Sequence, residues 1–381
     1  MLFEIEVAFA SSSSVMFLFC RACFSLGAIW VNSVATRCAV LTGTGKQVVP
    51  VLATEVPISR DLVAACISEV VEMTQSDVVI VGAGAAGLSA GLVLARAQAS
   101  VTIIDSGRPR NAPAAHMHGF ISRDGIPPRE FLKLSRQEVR GYGASIVSDT
   151  VSRVDSGSDR TFIVTLESGA VLSARAMLVA TGLTDQLPHI AGLRERWGTL
   201  VHHCPYCHGY EVLNKNIVVI GSPAREMSIK QAGLLRRYSE RVSLVTNGID
   251  LSAEERSGLE AFGISVIIGA VSHFVGEVGF LGGVALDDAS VIECEAAFVA
   301  PRPRPNDQIL EAVGCQRDVT TGLVIVDGFG QTNVPGIWAA GNVVTPSAQV
   351  IIAAGAGSAS AIAINGWLLQ KDLDAATAAR P

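Results

Sequence analysis

The chain predicts an α/β fold of three layers, in which mainly parallel strands are covered by helices on both faces. Three observations predict it. Residues 77–104 read as an apolar strand, a glycine-rich turn, an Ala- and Leu-rich helix and a second strand. Residues 217–245 repeat that order. The 381 residues suffice for two domains, or two plus an appendage, at roughly 100–200 residues each.

Composition narrows the class further. The chain is 49% hydrophobic with 37 glycines, which is globular, and its net charge of −6 gives no footprint for nucleic acid, which needs clustered Lys and Arg. Eight scattered cysteines in a chain this long exclude a small disulfide-stapled scaffold and point to catalytic or metal-binding thiols in a reducing, cytoplasmic setting.

Residues 15–31, VMFLFCRACFSLGAIWV, form the one membrane-like run. Arg21 interrupts it, it falls short of the about 20 apolar residues of a span, and Glu4 and Glu6 precede it where a signal peptide wants basic residues. No membrane association is expected. Residues 1–72 show no sustained period, and Met73 stands four positions before a strong strand, so 1–72 reads as an extension outside the fold, with Cys20, Cys23, Cys38 and Cys66 in it. The Cys20–Cys23 spacing has no histidine before His116 to complete a metal site.

The first unit opens with DVVIV at Asp77–Val81, the continuous apolar run of a strand buried on both faces. Gly82-Ala83-Gly84-Ala85-Ala86-Gly87 follows, then a helix to Ala97 and a strand Val101–Ile104 ending at Asp105, 23 positions after Gly82. Gly82 permits the tight turn, Gly84 lets a pyrophosphate approach the backbone beside Ala85 and Ala86, and Gly87 allows helix-to-strand packing. Asp105 can accept from ribose hydroxyls. With every part in place this is a Rossmann-like dinucleotide site, although FAD and NAD share the adenosine diphosphate it reads.

Downstream, Ala180-Thr181-Gly182 ends a strand, and TNVPGIWAAGN at 332–342 precedes AQVIIAAGAGSASAIAINGWL. These segments resemble the second and third flavin contacts of the two-dinucleotide flavoproteins, which implies FAD. By that resemblance Thr181, Gly182, Gly341, Asn342, Gln349 and Val350 join the cofactor site, with Asn342 where the family usually carries Asp and Gln349-Val350 meeting the ring through their backbone. An Ala/Gly-rich core helix is the plainer reading of the tail.

Between these segments lies His202-His203-Cys204-Pro205-Tyr206-Cys207-His208-Gly209-Tyr210-Glu211. Two thiols at C-x-x-C spacing can close a disulfide and pass two electrons together. A helix N-terminus and a nearby imidazolium both favour the attacking thiolate, and His208 could supply that charge or the proton. A zinc site lacks a second ligand pair, a glutaredoxin-like fold would put the motif after its first strand, and an inert buried pair is the bland alternative. No metal is expected.

The second unit has its strands at Ile217–Ile220 and Val242–Val245 and a helix-like run through Tyr238, but its turn reads Gly221-Ser222-Pro223-Ala224-Arg225-Glu226. Pro223 replaces the glycine that admits a pyrophosphate and removes an N–H; Glu226 replaces the third glycine. Thr246-Asn247-Gly248 stands where a 2′-phosphate clamp would follow. NADPH or NADH use is therefore in doubt.

From Met73 to about Leu369 the chain resembles the low-molecular-weight thioredoxin reductases of the pyridine nucleotide-disulfide oxidoreductases, with the dithiol just before the second βαβ unit. CPYCHGYE and AAGNV make it most similar to the reductase-like dithiol oxidases of gliotoxin- and holomycin-type metabolites. The resemblance implies two Rossmann-like dinucleotide-binding domains, the second inserted into the first: 73–187 with 304–372 for FAD, and 188–303 as an NAD(P)-binding-like domain carrying the dithiol. It also implies Cys207 facing the flavin, Cys204 outward to the substrate, His208 shuttling the proton, and a homodimer. The inserted domain would rotate about crossings near 185–192 and 300–305. Three functions compete. One is reduction of a thioredoxin-like protein or small disulfide by NAD(P)H; another is oxidation of a small dithiol with oxygen as acceptor; the third is a non-catalytic redox-sensing flavoprotein. Cys294 and Cys315 read as structural, and His116 and His118, in the loop 108–125, as loop residues or neighbours of flavin or substrate.

Overall fold

A computed structural model describes residues 5–9, 15–20, 29–32, 74–157, 161–277 and 279–379. The chain divides into two compact units, Met1–Thr74 and Gln75–Pro381. In the first, β1 (Ile5–Phe9), β2 (Val15–Cys20) and β3 (Ile29–Asn32) pair antiparallel in that order. Regular structure was not expected there. Within the apolar run 15–31, residues 15–20 form β2 and residues 29–31 belong to β3, since a short apolar stretch carries no period that separates strand from helix. Cys23, Cys38, Cys66 and Met73 lie outside the described residues.

In the second unit β4 (Thr74–Val81) leads through the glycine turn into α1 (Ala85–Arg96) and β5 (Val101–Ile104). Val78 and Ile80 enter one core and Val79 and Val81 the other, so the run is apolar throughout because both faces are covered. Next come α2 (Pro128–Gly141), β6 (Ser145–Val147), β7 (Val151–Ser156), β8 (Phe162–Leu166) and β9 (Val171–Val179). The sheet runs β6-β5-β4-β9-β8-β7. The first half of β9 pairs antiparallel with β8, and its end pairs parallel with a strand from far down the chain.

The chain then leaves through β10 (Leu183–Gln186) and builds β11 (Val201–His202), α3 (Pro205–His208), β12 (Ile217–Ile220), α4 (Arg225–Leu235), β13 (Val242–Val245), α5 (Ala253–Ala261) and β14 (Ile264–Ile267). A small antiparallel sheet of β15 (Val271–Val275), β16 (Gly283–Leu286) and β17 (Val291–Glu293) precedes β18 (Ala296–Val299). The second sheet, β11-β18-β12-β13-β14, is parallel throughout. The fold is therefore two Rossmann-like three-layer domains, the second inserted into the first.

The return is β19 (Arg302–Pro305), which pairs antiparallel with β10 residue for residue from Leu183 with Pro305 to Gln186 with Arg302. The outgoing and returning crossings thus form one two-stranded ribbon. After α6 (Gln308–Ala312), β20 (Ile337–Ala339) joins the edge of β9, and α7 (Val350–Ala378) closes the first domain. α7 packs on α1 through small residues: a Cβ at Gly357 would lie 2.0 Å from the Ala86 carbonyl oxygen.

Candidate active site

The first glycine turn shows why each position is what it is. Gly82 holds φ at +108°, and a Cβ there would lie 2.4 Å from the Ala180 carbonyl oxygen; one at Gly87 would lie 1.9 Å from the Gly82 carbonyl oxygen. Gly84 is different: nothing comes within 4 Å of its built Cβ, so that side of the turn is open. Gly84 caps α1 without a side-chain hydrogen bond, and the first turn, Ala85 to Gly87, carries no acid. Its unpaired N–H groups and dipole face open space, which suits a pyrophosphate. Asp105 ends β5 with one oxygen accepting from the Gly107 N–H at 2.9 Å and the other from Arg136 at 2.5 Å, which fixes the carboxylate and leaves lone pairs for ribose hydroxyls. Arg136, thirty-one positions on, carries no motif that would have disclosed it.

The other predicted flavin contacts converge on the same end of the sheet. Thr181 donates to the Asn306 carbonyl at 2.6 Å and Asn306 returns a bond to the Thr181 carbonyl, so Thr181 ties the ribbon crossing as well as ending β9's loop. Gly182 and Gly341 hold φ at +69° and +79°. The Asn342 amide donates to the carbonyls of Thr345, Pro346 and Ala348, at 2.9–3.2 Å, which an Asp could not do. Its oxygen remains an acceptor. Gln349 and Val350 begin α7, again without a side-chain cap or an acid in the first turn. Two uncapped helix starts and an open glycine fit FAD; Gly82, Gly84, Ala85, Ala86, Gly87 and Asp105 would hold its adenosine diphosphate, and Gly341, Asn342, Gln349 and Val350 its ribityl-flavin end.

The second turn lacks the open glycine of the first, and its donors at 222–224 are engaged or missing. The Ser222 N–H donates to Ser228 Oγ and the Ala224 N–H to Ser222 Oγ, both at 3.2 Å, and Pro223 between them has no N–H. Glu226 adds a negative charge to the first turn of α4, where an anion would need the opposite. Arg225 is turned to the Asp250 carbonyl and Glu255. Asn247 is tied at both ends, to the Gly221 carbonyl and the Val271 N–H.

The dithiol stands on one helical turn. Cys204 is the N-cap of α3, Pro205 takes the first helical position, and Cys204 and Cys207 form a disulfide with Cα atoms 5.3 Å apart. The Cys207 N–H donates to Cys204 Sγ at 3.2 Å. Gly209 ends the turn where a Cβ would strike the Tyr238 ring. Gln231, buried on α4, donates to the His203 carbonyl at 2.6 Å and so anchors the approach to Cys204; sequence patterns gave no sign of it.

Three imidazoles surround this turn. His202 stacks on His208 with centroids 4.3 Å apart and leans on Phe298, its strand partner; His203 stacks on Trp197. Burial pushes His202 down to about 3, with the neighbouring His208, His203 and Lys215 adding to the effect and the Thr199 backbone opposing it. Burial and Arg110 lower His203 to about 4 against the pull of Asp185. His208 is lowered by burial, with the Glu211 carboxylate opposing and His118 adding to the shift. Of the two roles read for His208, a charge beside the thiols or a carrier of the proton, burial disfavours the first. His116 is a loop residue, its Nδ1 2.9 Å from the Gly125 carbonyl, whereas His118 lies between Asp124 and Glu211. Cys294 and Cys315 are buried and free, and burial raises the Cys294 thiol to about 12, which leaves it inert.

Comparison with known proteins agrees with this geometry. The profile of the pyridine nucleotide-disulphide oxidoreductase family matches residues 76–361. Thioredoxin reductase sirT of Leptosphaeria maculans is 30% identical over 320 residues, covering 78% of this chain and 96% of that protein. Thioredoxin reductase tcpT of Claviceps purpurea is 30% identical over 283 residues, covering 70% and 86%. Among solved structures, that of HlmI aligns with a TM-score of 0.77 at 46% identity, covering 80% of this chain and 96% of that one. An oxidoreductase from Agrobacterium tumefaciens aligns with a TM-score of 0.72 at 35% identity, covering 78% and 99%.

Proposed function

Because the chain belongs to the pyridine nucleotide-disulphide oxidoreductase family, we propose a direction for its chemistry: Cys204 and Cys207 take two electrons from a small-molecule dithiol and close it into a disulfide. The chain is a thioredoxin reductase-like, FAD-dependent thiol-disulfide oxidoreductase of a family that uses FAD and NAD(P)H, and its substrates are of the thioredoxin or small disulfide class. The observation that carries the oxidative direction is the turn at 222–224. Its backbone donors are consumed within the turn or missing, so the usual route for electrons from a nicotinamide has no pyrophosphate seat.

His208, neutral and beside the disulfide, takes the proton of the first substrate thiol. The thiolate attacks Cys204 Sγ, the Cys204–Cys207 bond breaks, and Cys207 leaves as a thiolate. The second substrate thiol then gives its proton to the Cys207 thiolate and attacks the substrate sulfur of the mixed disulfide, displacing Cys204 as a thiolate and closing the product, so the substrate loses two electrons to the enzyme sulfurs and two protons, one to His208 and one to Cys207. FAD, which Gly82, Gly84, Asp105 and the start of α7 would hold, would supply the two-electron acceptor for the reduced dithiol, with oxygen as the terminal acceptor and hydrogen peroxide as its product. The Cys207 N–H holds Cys204 sulfur charge through the exchange.

Anaerobic mixing of the full chain with dithiothreitol, NADPH or NADH tests the reading. The dithiol should bleach the flavin absorbance, nicotinamides should not, and oxygen should restore the colour with release of peroxide. Rapid bleaching by NADPH would instead mean delivery of electrons to a thioredoxin-like protein or small disulfide. Unchanged electron transfer in Cys204→Ser would leave only a redox-sensing role.

A further inference from the structure

We propose that His118 is a positioning residue for the dithiol chemistry: reaching from the loop after β5 to Glu211, it completes with Asp124 a carboxylate–imidazole–carboxylate path that carries protons between His208 and solvent. His208 and Glu211 are three positions apart in the helical stretch that runs from α3 into the following 3-10 turn, which sets them on one face. His118 Nε2 lies 3.2 Å from Glu211 Oε1, and its Nδ1 lies 3.3 Å from Asp124 Oδ2. The other Asp124 oxygen accepts from the Gly119 N–H at 2.8 Å, so that carboxylate is held in place.

Carboxylates only accept, so His118 faces Asp124 and Glu211 with its two ring nitrogens, each placed to pass a proton to an acceptor. The side chains are 42% exposed at Glu211, 24% at His118 and 65% at Asp124, so the path passes under the loop and ends in solvent at Asp124. Glu211 belongs to the inserted domain and His118 to the first, ninety-three positions earlier, which means the path exists only while the two domains are together. The same loop meets the start of α7, with Gln349 Oε1 4.0 Å from a built Gly119 Cβ. It therefore links the flavin end of the first domain to the dithiol. Each substrate thiol that attacks gives up a proton, and a half-buried His208 needs an exit for it before the next.

The inference rests on the dithiol reading, and the experiment separates the two. The full chain is mixed anaerobically with dithiothreitol; opening of Cys204–Cys207 is read by iodoacetamide quenching and mass, and flavin absorbance is followed in parallel. His118→Gln and Glu211→Gln should each slow opening by about tenfold, with FAD content and Tm unchanged. Imidazole should restore His118→Ala in proportion to its concentration and leave the wild type unaffected. Wild-type opening rates in both variants, or slow opening that imidazole does not relieve, would overturn the path. Asp124→Asn, which keeps the oxygen that accepts from Gly119, gives the same reading should a His118 variant fail to fold. If the wild-type sulfurs open while the flavin stays coloured, dithiol oxidation fails and the proton path is still judged from the sulfurs.

Discussion

A base beside a disulfide is useful only if it is unprotonated when the substrate thiol arrives. Burial lowers His208, and the opposing Glu211 carboxylate does not cancel that, so the neutral ring dominates at pH values where an exposed imidazole is already half charged. The rate of dithiol-driven flavin bleaching should therefore rise with pH and level off at a midpoint below about 6.5. His208→Asn should be slower by roughly a hundredfold and lose that dependence, as stopped-flow absorbance across the acid range would read. A midpoint above that value, or a variant that retains the wild-type profile, would remove His208 as the base. The dithiol and this histidine were legible in the sequence because they are contiguous. What surrounds them was not: Arg136 on Asp105, Gln231 on the His203 carbonyl and His118 on Glu211 come from distant positions and no local pattern announces them. Asn342 was visible as a departure from the family's acid, but only the fold shows that its amide closes the turn to Ala348.

At the scale of elements, the meeting of α1 and α7 decides whether the flavin cradle is assembled. Both helices begin without a side-chain cap, and they meet where Gly357, two turns into α7, lies against the Ala86 backbone at the start of α1. Gly357→Ala sets a Cβ 2.0 Å from a carbonyl oxygen, which backbone movement alone can relieve. The expected cost is about 1–3 kcal/mol, read as a lower Tm, together with a loss of retained FAD on gel filtration because both helix starts shift. Gly355→Ala, whose built Cβ meets nothing within 4 Å, is the control and should keep both. The βαβ elements were legible because buried parallel strands are apolar throughout and Gly82, Gly87 and Gly221 between them are forced by close contact. The strands β1 to β3, and the pairing of β10 with β19, were not, since short segments without a period depend on partners that the sequence does not name.

For the whole molecule, the imidazoles packed beneath the dithiol couple stability to pH. His202 is held to about 3 when folded and has an ordinary value of 6.5, so between those values the unfolded chain binds more protons than the folded one. Stability then rises with pH across that window, and it is lost as pH falls from about 6.5 towards 3. By pH 5 the His202 contribution alone is about 2 kcal/mol, and His203, lowered to about 4, acts in the same direction. The lowered carboxylates, Asp77 and Glu255 among them, act only at more acid pH, because their ordinary values are already 3.8 and 4.5. His202→Phe isolates the effect. Phenylalanine keeps an aromatic ring against Phe298 and His208 and removes both the titration and the buried Nδ1 that has no hydrogen-bond partner. Urea midpoints at pH 7.5 and pH 5 should fall steeply for the wild type and by clearly less for the variant. Equal falls in the two proteins would show that His202 is protonated in the folded state and that the neutral imidazole stack is absent in solution.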